Sequence, residues 1–119
     1  MASSTIKASS GAIIQGTKNA VTCPNNGTET QIGSITLPYG LWIVEVSGWS
    51  PLDATDNRAT QISLNYTESH TVTLSMLFNL TGVYEIVNDS DTLQLKVTNW
   101  ESESKTSATN YTFRAVKIA

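Results

Sequence analysis

Trp49 and Trp100 each stand beside a stretch rich in acids and amides. The first, Trp49 to Asn57, contributes Asp53 and Asn57, and the second contributes Asn99 and Glu101. An indole ring stacks on the apolar face of a pyranose, while carboxylates and amides bond its hydroxyls. These six residues are therefore the candidate ligand-binding set, of types that suit carbohydrate recognition. The plainer alternative makes both rings plugs that close the ends of a core. Trp42, inside the apolar run Leu41 to Val46, is assigned to the core itself.

Candidates for catalysis are weaker. His70 is the single histidine and Cys23 the single cysteine. A nucleophile–base pair would need a supporting motif, and no Gly-x-Ser-x-Gly elbow surrounds either residue. The acidic pairs Asp53/Asp56, Asp89/Asp91 and Glu101/Glu103 are near neighbours in sequence. A glycosidase instead needs two carboxyls facing each other across a cleft. Asp89 and Asp91 offer oxygen ligands to Ca²⁺, but the stretch lacks the length and glycine of an EF-hand loop, and Asx-turn chemistry accounts for it. A single cysteine forms no intramolecular disulfide and no Cys-based zinc centre. The expectation is a protein that is not an enzyme and uses no cofactor or metal.

Charge narrows the partners. The net charge is −3, and the seven basic residues are dispersed rather than gathered into the stripe that a phosphate backbone requires. Nucleic acid is excluded on that ground. Apolar runs are only a few residues long, which argues against membrane insertion, and Met1 to Gly16 lacks the apolar region of a signal peptide. Disulfide scarcity points the same way, to a chain folded inside a cell. Asn-x-Ser/Thr triplets at Asn26, Asn65, Asn79, Asn88 and Asn110 are ascribed to the abundance of those residues.

The elements that must position these residues are strands. Only 14% of the chain is charged, and Thr and Val are frequent, as in sheets rather than helical surfaces. Leu93, Leu95 and Val97 alternate with polar neighbours, as do Val72, Leu74, Met76, Phe78 and Leu80. The stretch Leu80 to Thr98 reads as a hairpin reversing at Asn88 to Asp91, with Val83 to Val87 as its first arm. Pro38-Tyr39-Gly40 reads as a second turn, between Thr28 to Leu37 and Leu41 to Gly48. Further strands are expected at Lys18 to Cys23, Arg58 to Tyr66 and Tyr111 to Ile118. Residues 1–18 read as a flexible arm or attachment segment, in which Ala12 to Gln15 could form a short edge strand. Residues 19–119 read as one domain, long enough to bury a core without staples. Short strands at regular spacing indicate an all-β, antiparallel β-sandwich or jelly roll. Leu77, Tyr84 and Ile86 place apolar groups where a sandwich strand should be polar, and are candidates for a subunit interface; the alternative makes these strands central ones covered by the second sheet.

The succession G-L-W-I-V-E-V-S-G-W (40–49), R-A-T-Q-I-S-L-N (58–65), T-G-V-Y-E-I (81–86), D-T-L-Q-L-K-V (91–97) and Y-T-F-R-A-V-K-I (111–118) resembles the globular heads of the complement first-component and tumour-necrosis-factor superfamily. Ser90-Asp91-Thr92 stands where that family often has Gly-Asp-Thr. The resemblance covers roughly residues 28–118, and is similar also to the heads of bacteriophage tail fibres and bacterial surface proteins. It implies a jelly roll of about ten strands, a homotrimer, and binding without catalysis. The expected role is a receptor-binding module of a virion or extracellular appendage, assembled in the cytoplasm, whose partner is a cell-surface glycan or protein receptor. The alternative is a purely structural trimerisation or capping domain.

Overall fold

A computed structural model describes residues 10–52, 59–64, 68–73 and 77–119. They form β1 (Ile13–Gln15), β2 (Thr17–Lys18), β3 (Thr22–Cys23), β4 (Thr28–Trp49), β5 (Ala59–Leu64), β6 (Glu68–Thr73), β7 (Leu77–Asn99), β8 (Lys105–Thr106) and β9 (Tyr111–Lys117). All pairings are antiparallel, so the all-β expectation holds.

Two strands dominate, and both correct the sequence reading. Leu80 to Thr98 is not a hairpin: β7 runs through it without reversing and pairs with β4 from Thr28↔Asn99 to Trp49↔Leu77. The two supposed turns face each other in this ribbon. Register shifts between Pro38 and Gly40, where Tyr39 meets the surplus residues Val87, Asn88 and Asp89. Residues that permit reversals here bend two paired strands together instead of turning each back on itself.

The bend is sharp enough to make two layers. Lys18, paired with Gly33, donates from Nζ to the carbonyl of Tyr111 at 2.6 Å, and Tyr111 pairs with Gly48. In a flat strand Gly33 and Gly48 would stand roughly 50 Å apart. Residues 28–38 and 90–99 therefore form one layer with β2, β5 and β6, and residues 40–49 and 77–86 form the other with β9 and β1. Gly40 makes the corner possible. Its φ is +143°, a value that side chains disfavour, and a Cβ there would strike the Lys117 side chain at 2.5 Å. Trp42 pins the corner by donating from Nε1 to the Pro38 carbonyl at 2.9 Å.

The core lies between the layers. Ile35, Leu37, Leu93, Leu95, Val97, Ile62 and Leu64 come from the first, and Trp42, Val44, Val46, Phe78, Leu80, Ile86 and Phe113 from the second. Alternation is retained in both long strands, so one face of the folded ribbon points inward throughout. Residues 13–18 belong to the sheets: β1 pairs with β9, β2 with β4, and the chain passes between layers at Gly16.

Candidate functional site

Folding the ribbon in half brings both of its free ends to one end of the sandwich, so Trp49 and Trp100 are neighbours in topology. They do not converge on one platform. Trp49 follows the outward parity of Ile43, Glu45 and Ser47, and pairs with Leu77 on the second layer. Trp100 follows the inward-facing Asn99 and covers Gly27 on the first layer, where a Cβ would meet its ring at 2.5 Å. The two half-exposed indoles thus belong to different layers.

Around Trp100 the polar candidates separate into two kinds. Asn99 is fully buried, and its side chain builds the cap. Its Nδ2 donates to the carbonyls of Cys23 (2.9 Å) and Glu103 (3.1 Å), and its Oδ1 accepts from the Glu101 N–H at 2.9 Å. These bonds fasten the loop after β7 to the β3–β8 ribbon. Glu101 is also fully buried, enclosed rather than presented to a ligand. Neither side chain is open to solvent. Asn25 reinforces the seat by donating from Nδ2 to the Ser102 carbonyl at 2.7 Å. Asp53 and Asn57 lie outside the described residues, as does the side chain of His70.

The interface candidates divide by strand parity. Leu77 is 70% exposed on the outer face. Ile86 is a core residue at 3% exposure, and Tyr84 faces inward with its hydroxyl 3.4 Å from the Leu64 carbonyl. The outward apolar residues of this strand are Leu77, Val83 and Val87. They share one parity along the strand, but the run Val83 to Val87 reads as apolar on both faces until its register is known.

Sequence reasoning also missed a cavity of about 330 Å³ at the bend, lined by Tyr39, Leu41, Glu85, Ile86, Val87 and Ala119. It offers one exposed ring and one carboxylate against apolar walls, and it exists only because the two bent stretches face each other. Beside it Asn88 donates from Nδ2 to both carboxylate oxygens of Asp91, at 3.2 and 3.1 Å, so that carboxylate is engaged in local turn chemistry.

Cys23 is fully buried, and burial pushes its thiol above the ordinary value, the opposite of what a nucleophile needs. Tyr111 is pushed up to about 12 by burial and secondarily by Cys23. Its hydroxyl is buried without a hydrogen-bond partner among the described residues. No family model matches the chain, and neither the curated proteins nor the solved structures give a match.

Proposed function

We propose that this chain is a non-catalytic binding head, a jelly-roll module of a virion tail or surface appendage that recognises a cell-surface glycan as a homotrimer. The observation that carries the reading is the presentation of Trp100. Its ring is seated over Gly27 and backed by the buried Asn99 scaffold, yet 48% of the residue remains open to solvent. A large rigid ring on a braced loop loses little entropy on stacking against a sugar. Trp49, similarly exposed on the other layer, gives a second weak contact, and three heads together supply avidity. The resemblance to the complement and tumour-necrosis-factor heads supports the trimer and the absence of chemistry.

Glycan-array binding, followed by binding to intact bacteria, tests this. Trp100→Ala should weaken binding about tenfold per site, the equivalent of roughly 1.4 kcal/mol, with native circular dichroism retained. Unchanged binding by both Trp100→Ala and Trp49→Ala would remove the indoles from the site. A second reading, a structural trimerisation or capping domain, is favoured by the exposed apolar residues Leu77, Val83 and Val87.

A further inference from the structure

The cavity at the bend holds a carboxylate that the fold leaves without a counterion. Glu29, Glu45 and Glu103 lie within ion-pair distance of Lys96, Arg114 and Lys105 respectively. Glu85 has no such partner among the described residues and accepts no hydrogen bond from them. It lines the cavity of about 330 Å³ together with Tyr39 and the apolar side chains of Leu41, Ile86 and Val87. The walls are held by the backbone. Leu41 pairs with Glu85, and Gly40 with Ile86, across the long ribbon. Leu41 also donates its N–H to the Ala119 carbonyl at 2.8 Å and accepts from the Ile118 N–H at 2.8 Å. Lys117 packs its stem over Gly40 without pairing with Glu85.

We propose that this cavity binds a small ligand through a quaternary ammonium group. The face of an aromatic ring attracts a cation, and a carboxylate beside it adds a full opposite charge. Apolar walls then suit a cation clothed in methyl groups. A primary ammonium carries three N–H donors, and one carboxylate among apolar side chains gives them too few acceptors. A trimethylammonium has no donor to strand. An anion is repelled by Glu85, and the many hydroxyls of a sugar ring find too few polar partners. The volume lies at the low end of the roughly 300–1,000 Å³ usual for ligand pockets, which suits a ligand of few atoms. The bend is at the far end of the ribbon from both indoles, so this site is separate from the glycan contact and does not rest on it.

An NMR titration of the whole chain with choline chloride tests the site, against sodium chloride at matched ionic strength. Choline should shift the Tyr39, Leu41, Glu85 and Val87 amides saturably, with a midpoint in the millimolar range that so small a ligand allows. Its neutral carbon isostere, in which a tert-butyl group replaces the trimethylammonium, should bind about tenfold more weakly. Glu85→Gln should weaken choline about tenfold and leave the isostere unchanged. Tyr39→Leu, which removes the ring and keeps an apolar wall, should weaken choline about fivefold. Both positions are exposed, and native circular dichroism confirms that each variant folds. Trp100→Ala should leave choline binding unchanged, so failure here is distinguishable from failure of the glycan reading. Equal binding of choline and its isostere overturns the proposal. So does choline binding unaltered by Glu85→Gln, or the absence of saturable shifts at these residues.

Discussion

Both layers are cut from the same two strands, since each long strand contributes one half to either side of the bend. Their inner faces are alike, with aliphatic and aromatic residues at every second position. Their outer faces are not: Thr36 and Thr92 bond each other at 2.8 Å on one layer, while Ile43 and Val83 sit side by side on the other. The period of two constrains only the inward residue, because the core must be dry. The alternate positions are free of that demand, so what they carry reflects what the surface meets.

The largest expected effect comes from breaking what the layers share. Trp42 is fully buried and anchors the bend through Pro38. Trp42→Ala should cost about 3–5 kcal/mol in denaturant unfolding. Because one core joins the halves, amide protection in residues 93–97 and in residues 113–115 should disappear together. Layers that lose protection at separate denaturant concentrations would mean two independent folding units, and the comparison would then be between domains rather than faces.

Most of the core was legible in the sequence, because alternation alone assigns Leu93, Leu95, Val97, Phe78 and Leu80 to one face, and all are buried. The bend was not. Pro38 to Gly40 and Asn88 to Asp91 both carry the residues of reversals, and local chemistry does not say whether a strand reverses alone or bends with its partner. That depends on the pairing of residues far apart in the chain. The same gap placed Ile86 on an interface when one step of parity puts it in the core. At the candidate site, the indoles were legible as large apolar groups beside polar stretches. Whether Asn99 and Glu101 face a ligand or brace a cap depends on contacts with Cys23 and Glu103, which follow from how the end of the sandwich closes.

A smaller effect tests the seam between the layers. Lys18 of the first layer bonds the carbonyl of Tyr111 in the second, and the Tyr111 hydroxyl is buried nearby. Its folded value of about 12 lies above the ordinary value of 10, so the neutral phenol is the form that the fold favours. The resulting stability is complete below pH 10, where the phenol is neutral in both states. It is lost as pH rises from about 10 to about 12, because the unfolded chain ionises first, and the loss amounts to roughly 2–3 kcal/mol. Tyr111→Phe should abolish this alkaline component and, with no stranded hydroxyl, unfold at the same or a higher denaturant concentration at neutral pH. A Phe variant about 2 kcal/mol less stable at pH 7 would mean that the hydroxyl has a partner.

The smallest effects fall on the outer faces, and they sharpen the contrast most. Thr36→Val removes an exposed hydroxyl pair while keeping β-branching, and Val83→Thr makes the reverse exchange on the other layer. Both should change the unfolding free energy, measured below the association range, by no more than about 0.5 kcal/mol. If Val83→Thr instead destabilised the single chain by about 2 kcal/mol or more, the Ile43–Val83 pair would be part of the fold's own packing. Its exposure would then reflect an edge of the core. Near-equal stabilities would mean that the folding of the single chain does not distinguish the two outer faces.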